Sequence, residues 1–305
     1  MDQTFQQKLK EMTTGPVLFN ERLDRYTSLR VGGMAGAMVY PQSVEELGKL
    51  VLFFRETGHP FLVVGNWTNL LVRDEGYPGA IIVMKALRRI ECKEGKKDHS
   101  LVDAQAGASL SELVRLTAER ALAGMAFCAG IPGSVGGAVM MNAGAYGCEI
   151  KDVLHGATLM DDRGNVKEYR RNDLSFEYRK LNLPAGMIIV SAAFRLEKGD
   201  REMIRHRIDE IIDKRRQKHP LDYPNAGSIF KNPAGHSAAG LLIETAGLKG
   251  MQIGGARISE KHGNFIINTG HAKASDILAL IELVQKEILA QTGIALETEV
   301  RIIGE

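Results

Sequence analysis

The sequence predicts an α+β protein built in two parts, the first over residues 1–198 and a smaller α/β part over residues 199–305. Three observations carry this. Short apolar runs alternate with amphipathic helical stretches through the first half. The composition turns charged at Glu197-Lys198-Gly199-Asp200, where a new helix opens. The chain has 305 residues, 44% of them hydrophobic and 25% charged, enough apolar material for two ordinary globular cores.

Taken in order, residues 37–40 form a short apolar strand. Ser43 and Glu46 have the S-x-x-E spacing of a capping box, opening a helix with Leu47, Leu50, Val51 and Phe54 on one face. Gly58 stops it and Pro60 follows. Residues 61–64 and 81–84 are buried strands. A second capping box at Ser109 and Glu112 opens a helix with Leu110, Leu113, Val114 and Thr117 inward. Asp162-Arg163-Gly164-Asn165 is a turn between strands, and residues 188–196 form a further strand. In the second part, Ile204, Ile208, Ile211 and Ile212 make the buried stripe of the charged helix. Residues 241–246 are helical up to Gly247. Ser275 caps a long helix through Leu278, Ile281, Val284 and Ile288, and residues 296–303 alternate as a strand.

Several function classes are excluded. A net charge of +2 and 6% aromatic residues offer no footprint for nucleic acid. Nothing reaches about 18 uninterrupted apolar residues, so no span is expected, and the polar first residues are not a signal peptide. Cys92, Cys128 and Cys148 lack CxxC spacing, which argues against a disulfide framework and a zinc site and for buried free thiols in a reducing cytosol. The histidines show no ligand spacing, and His59, His99, His219 and His271 are expected on the surface or in loops. There is no G-x-G-x-x-G, Walker A, G-x-S-x-G or H-E-x-x-H pattern. No sustained heptad calls for an oligomer, so a monomer is expected.

Much of the glycine falls in three clusters. The first, Gly65-Asn66-Trp67-Thr68-Asn69-Leu70, follows a strand directly. The second is Gly130-Ile131-Pro132-Gly133-Ser134-Val135-Gly136-Gly137, continuing to Asn142-Ala143-Gly144-Ala145-Tyr146-Gly147. The third is Gly227-Ser228-Ile229-Phe230-Lys231-Asn232-Pro233. Glycine lets a backbone approach a ligand closely, and amide N–H groups after a strand or at a helix start can hold phosphate oxygens. The same clusters can equally be tight turns of a compact fold.

These clusters occur in register with Thr27-Ser28-Leu29-Arg30-Val31-Gly32-Gly33, Tyr178-Arg179, Asn225-Ala226-Gly227-Ser228 and Leu296-Glu297-Thr298-Glu299-Val300. From about Asn20 onward the string resembles the bacterial UDP-N-acetylenolpyruvoylglucosamine reductase family, MurB. The resemblance implies a PCMH-type FAD-binding domain followed by a substrate-binding domain, one non-covalent FAD, NADPH as hydride donor, a nucleotide-sugar substrate and a cytoplasmic enzyme. It implies the short form, because the chain runs too quickly from Arg179 to the 188–196 strand to hold the tyrosine-bearing insertion of the long form. One departure stands out: Trp67 occupies the place of the second glycine in the first loop. Another PCMH-type flavoprotein would share the loops up to Gly147 but not the third cluster or the 296–300 motif. A non-catalytic nucleotide-binding module would have lost the residues that follow.

By the same resemblance, the cofactor contacts are Gly65, Asn66, Trp67, Thr68, Asn69 and Leu70 in the first loop. In the second cluster they are Gly130, Pro132, Gly133, Ser134, Gly136, Gly137, Asn142, Gly144, Ala145 and Tyr146. The catalytic residues implied are Arg179, Ser228 and Glu299. A planar guanidinium suits a carboxylate gaining charge. A serine hydroxyl can protonate a very basic carbanion when a neighbour such as Lys218 or Lys231 supports it. Alternation puts Glu297 and Glu299 on one strand face, so Glu299 is chosen by the motif alone. Arg215, Lys218, Lys231 and Asn232 are the substrate-binding candidates, with Arg216 beside them. Taken singly, Arg179 and Glu299 would be read as solvated charges and Ser228 as a turn serine.

Overall fold

The computed structural model describes residues 2–95 and 98–304, and the chain divides into two compact units. The first comprises Met1–Phe19, Ala37–Asn66 and Gly79–Asp213; the second comprises Asn20–Gly36, Trp67–Pro78 and Lys214–Glu305. The sequence reading places one boundary near residue 199. The chain instead lends two early stretches to the second unit and makes its last crossing inside the helix Arg201–Lys218. Composition marks where that helix begins, but Ile204 and Ile211 are buried on its first-unit stretch, and Ile211 lies in that unit's core.

In the first unit, helix Val44–Thr57 forms because Ser43 caps it and Leu47, Leu50, Val51, Phe53 and Phe54 share its buried face. Gly58 ends it in the left-handed conformation at φ 66. Half of the expected capping box is present, Ser43 accepting from the Glu46 amide at 3.2 Å. The Glu46 carboxylate serves other donors: the amides of Gln42 (2.7 Å) and Thr14 (3.1 Å) and the hydroxyls of Thr13 (2.8 Å) and Thr14 (2.9 Å). Burial works to raise that carboxyl, but these bonds outweigh it and hold it at about 2. The second expected box is not made. Ser109 stands at the N-cap of helix Leu110–Glu119, but its hydroxyl meets Ser111 Oγ at 2.7 Å and bonds no backbone amide of the helix.

Strand Phe61–Val64 pairs in parallel with the 80–83 part of Tyr77–Val83, which begins four residues before the expected 81–84 strand and ends one residue before it does because Met84 opens a 3-10 turn. A larger antiparallel sheet runs in the order Val166–Arg170, Leu154–Met160, Ile188–Lys198, His99–Gln105, Ile90–Glu94, with Leu122–Ala123 beside Ile188–Lys198. Helices Val44–Thr57 and Leu110–Glu119 bury their apolar stripes in the same core as these strands. Of the cysteines, Cys128 is buried and Cys92 half-buried, but Cys148 is exposed in a hairpin, contrary to the expectation that all three are buried.

In the second unit, Gln252–Ile253, Ala256–Ile258 and Ile266–Asn268 form an antiparallel sheet, and helices Ala239–Thr245 and Ala274–Thr292 share its core. Ser275 is not the cap of the long helix. Lys273 holds that position, and the Asp74 carboxylate accepts the first amides, from Ala274 at 2.7 Å and Ser275 at 2.9 Å. A cap supplied 200 residues away cannot be seen in local sequence. The expected strand over 296–303 shrinks to Arg301–Ile303, which lies parallel to Leu70–Val72. Residues 296–300 are irregular apart from a bridge between Phe230 and Thr298. Among the described residues, no helix is long and apolar enough to cross a membrane.

Candidate active site

The first unit carries Gly65, Asn66, the 130–147 segment and Arg179. Gly65 is required by close packing: a Cβ there would fall inside the contact shell of Ser134 Oγ and 2.8 Å from Ser134 Cβ. The first two glycine clusters therefore touch. Ser134 also caps the short helix Val135–Met140, accepting from the Gly137 amide at 3.2 Å. The Val135 and Gly136 amides donate to the carbonyls of Ala108 (2.9 Å) and Ala106 (2.8 Å). These three amides shape the loop rather than forming the open anion cradle that the glycine spacing suggests.

Asn142 is fully buried with φ 41. Its Nδ2 donates to Glu149 Oε2 and to the Glu177 carbonyl, both at 3.0 Å, and its Oδ1 accepts from the Lys151 amide at 3.1 Å. It is thus a knot between the 142–151 loop and the hairpin of Ser175–Glu177 with Lys180–Asn182. Arg179 sits in that hairpin's turn with φ 57. Its Nη2 donates to the Gly144 carbonyl at 2.9 Å, and its guanidinium lies 4.9 Å from the Tyr178 ring centre. A Cβ on Gly144 would stand 3.1 Å from Arg179 Nη1 and 2.7 Å from the Cys148 carbonyl. Tyr146 and Gly147, at φ 54 and 82, turn the hairpin between Gly144–Ala145 and Cys148–Glu149. The Tyr146 ring is 44% exposed.

The second unit carries the rest of the first loop. Trp67 is 7% exposed and left-handed at φ 59, so the bulky residue adopts the glycine-like conformation. Its ring centre lies 6.0 Å from that of Tyr26. The Ser28 amide donates to the Trp67 carbonyl at 3.3 Å and the Ser28 hydroxyl to the Thr68 carbonyl at 3.4 Å. The Asn69 side chain donates to the Glu299 carbonyl at 3.1 Å, and the Asn69 carbonyl accepts from Arg301 at 3.1 Å. Leu70 pairs with Arg301 in the parallel ladder.

Ser228 lies in a turn set by Gly227 at φ 77, whose amide donates to Asn225 Oδ1 at 3.0 Å. The Glu299 amide donates to the Ile229 carbonyl at 2.7 Å, and the Lys231 amide to the Glu297 carbonyl at 2.9 Å. Ser228 and Glu299 are therefore on neighbouring stretches of backbone. The irregular 296–300 run separates what alternation could not: Glu297 is 76% exposed and pairs with Lys231 at 3.1 Å, while Glu299 is half-buried. Asn232 is exposed, and its Oδ1 accepts from the Ala239 amide at 3.0 Å, ordering the start of helix Ala239–Thr245.

Arg215 and the exposed Lys218 lie in the last turn of helix Arg201–Lys218. Next to them His219, expected on the surface or in a loop, lies in the bend after that helix and is half-buried, its ring centre 4.9 Å from Phe265 and 5.7 Å from His262. Burial first, then the charges of Arg215, His262, Lys261 and Lys218, push its pKa down to about 4, so it is neutral near pH 7. Residues the sequence reading missed are the ones that hold these segments in place: Ser28, Glu149 and Asn264. Asn264 left a usable signal, an amide side chain set against the apolar run Phe265-Ile266-Ile267.

Among the described residues, seven that are not glycine have positive φ, and five of them (Arg30, Trp67, Asn142, Tyr146 and Arg179) fall in the motifs singled out above. Such strain collects where a ligand is handled. The same segment leaves open surface on which a long ligand can lie: Gly130 and Gly137 are exposed, Gly147 has open space where a side chain would stand, and Tyr146 is 44% exposed.

The chain is similar to known proteins over nearly its whole length. Residues 35–170 match the family described as FAD binding domain, and residues 219–303 match the UDP-N-acetylenolpyruvoylglucosamine reductase C-terminal domain. A UDP-N-acetylenolpyruvoylglucosamine reductase of Syntrophus aciditrophicus is 50% identical over 299 residues, covering 98% of this chain and 96% of that protein. One from Caldanaerobacter subterraneus is 43% identical over 98% of this chain and 97% of its own. The crystal structure of the Thermus caldophilus reductase superposes with a TM-score of 0.80 at 36% identity, covering 95% of this chain and 98% of that one.

Proposed function

The chain belongs to the UDP-N-acetylenolpyruvoylglucosamine reductase family, and on that premise we propose that it reduces UDP-N-acetylglucosamine-enolpyruvate to UDP-N-acetylmuramate, with FAD bound and NADPH as the hydride donor. FAD, when bound, supplies a hydride to the methylene carbon of the enol ether, leaving carbanion character on the neighbouring carbon, delocalised into the carboxylate.

What remains for the protein is to hold the substrate, spread that charge and deliver one proton. Arg179 is assigned to the substrate carboxylate. It is permanently charged, and the Gly144 carbonyl anchors one end of its planar fork. Ser228 Oγ is assigned as the proton donor to the carbanion carbon, and the Glu299 carboxyl as the group that shares the charge. The observation that carries this pairing is the 2.7 Å bond from the Glu299 amide to the Ile229 carbonyl, which sets the two residues on adjacent backbone. Lys218 and Arg215 are assigned to the diphosphate, with Asn232 and Lys231 as polar contacts; the exposure of Lys218 supports this assignment. FAD contacts are assigned to Gly65, Asn66, Trp67, Thr68, Asn69 and Leu70 and to the 130–146 positions named above. Asn142 acts there by ordering its loop. In functional terms, residues 1–198 are assigned to FAD, with Arg179 turned to the substrate, and residues 199–305 to the substrate, in a monomer of the cytoplasm.

The test is anaerobic. Purified protein with FAD is mixed with NADPH, with and without the enolpyruvyl nucleotide, and NADPH absorbance is followed. Oxidation that requires the enolpyruvyl sugar is expected, and Ser228→Ala should slow it at least 100-fold while leaving flavin reduction by NADPH intact. A flavin that NADPH reduces but the enolpyruvyl sugar never reoxidises would discard the substrate assignment.

A further inference from the structure

Among the buried polar side chains that the mechanism leaves unused, one lies directly behind the Ser228 turn. Asn264 is 4% exposed, in the second unit, just before the strand Ile266–Asn268. Its Oδ1 accepts from the Phe230 amide at 2.9 Å and its Nδ2 donates to the Phe230 carbonyl at 2.8 Å. Its carbonyl accepts from the Ile229 amide at 2.9 Å, and its own amide donates to His262 Nδ1 at 3.1 Å. One residue thus captures both backbone polar groups of Phe230 and the amide of Ile229. The remaining polar group of Ile229, its carbonyl, is the one that receives the Glu299 amide. The two residues immediately after Ser228 are therefore gripped on one side by Asn264 and on the other by the backbone of Glu299.

We propose that Asn264 is a positioning residue for the proton-transfer half of the reaction, its carboxamide setting the register between the Ser228 turn and the Glu299 segment. This rests on the functional reading above. The physical demand is specific. A side chain at this place must donate to one backbone group and accept from another through a flat, two-atom end, which an amide does and a carboxylate does not. With the amide gone, the Phe230 N–H and C=O are buried without a partner, and the backbone that carries Ser228 relaxes to find one. A shift of about 1 Å suffices to lose on the order of 100-fold in a step that depends on alignment. Arg179 and the 130–147 segment belong to the other unit, so a fault here should leave the flavin's own reduction unchanged.

The experiment uses full-length FAD-loaded protein carrying Asn264→Leu or Asn264→Asp, with thermal melts recorded alongside. Stopped-flow absorbance measures flavin reduction by NADPH and, separately, reoxidation by the enolpyruvyl nucleotide. The expected result is reduction within about twofold of the parent and reoxidation slowed at least 30-fold in Asn264→Leu. Asn264→Asp supplies the signature that a simple packing role lacks. Its carboxylate accepts but cannot donate, whereas its protonated form does both, so the reoxidation rate should recover toward the parent as pH is lowered while the parent shows no such rise. Equal loss in both half-reactions, or parent-like reoxidation in a folded Asn264→Leu, overturns the proposal. If Asn264→Leu does not fold, the pH profile of Asn264→Asp decides alone, and a flat profile overturns it. If the unsubstituted protein is reduced by NADPH but not reoxidised by the enolpyruvyl nucleotide, the functional reading has failed first, and the proposal falls with it.

Discussion

Replacing Gly65 by alanine should break the contact between the first two glycine clusters. The new Cβ would lie 2.8 Å from Ser134 Cβ and closer still to Ser134 Oγ, so Ser134 must retreat by at least half an ångström, roughly the shortfall from an ordinary carbon contact. Its hydroxyl already reaches the Gly137 amide at 3.2 Å, near the limit of a useful bond, so the retreat loses the cap. Loss of a serine cap costs about 1 kcal/mol. Forcing a methyl group into packed backbone costs about 1–3 kcal/mol more. The sum, about 2–4 kcal/mol, corresponds to a fall in Tm of roughly 4–16 °C for a unit of this size. Differential scanning calorimetry with FAD absent reads it directly. The decisive control is Gly65→Ala combined with Ser134→Gly. Glycine at an N-cap costs only a few tenths of a kcal/mol, so the double variant should sit within about 1 kcal/mol of the parent. A Gly65→Ala protein that melts with the parent, or a double variant in which the losses simply add, would refute the close-approach argument.

Asn142→Ala should cost about 2–3 kcal/mol, because it empties a fully buried site and removes three hydrogen bonds, two of them to the part-buried backbone of Lys151 and Glu177; a urea denaturation difference below about 1 kcal/mol would count against the knot. Glu46 should make stability fall in acid. Its folded pKa is depressed to about 2, so its contribution is present above the ordinary carboxylate range and lost as pH falls from about 4.5 through 2. The gap in urea midpoint between the parent and Glu46→Gln should therefore close over that window, and an equal gap at both ends contradicts the assignment. Trp67→Gly relieves left-handed strain of about 1–2 kcal/mol but gives up a buried indole worth about 3–5 kcal/mol. A net loss near 2 kcal/mol is expected in thermal melts, and a gain would mean that strain dominates.

The parts that were readable in advance are those whose causes lie within a few residues. The Val44–Thr57 helix declares itself through Ser43, its apolar spacing and Gly58, and the strands at 61–64 and 188–198 through short β-rich runs. What misled were ends and caps supplied from a distance. Ser275 has the chemistry of a cap, yet Asp74 does that work from another stretch of chain. The 296–300 run alternates like a strand, but the Ile229 and Glu297 carbonyls bind it to the third glycine cluster and leave only Arg301–Ile303 in a ladder. The motifs located Ser228, Arg179 and Glu299 in the chain. They could not reveal that Asn142 is buried, or that Gly65 exists to admit Ser134, because both facts depend on which loops meet.

Asn69 and Glu299 are 230 residues apart, and among the described residues the strand Leu70–Val72 has its ladder partner only in Arg301–Ile303. At synthesis rates of about 5–20 residues per second, the interval between the emergence of one and of the other is roughly 10–50 s. Throughout that time the nascent chain carries Leu71 and Val72, both fully buried in the finished protein, without the strand that pairs with them. An unpaired apolar edge invites association with other chains. The chain's most vulnerable period is thus written into its connectivity: a ribosome that pauses anywhere between the first glycine loop and Arg301 lengthens the exposure of that edge, and the part of the loop that follows Trp67 is among the last pieces of the enzyme to be locked.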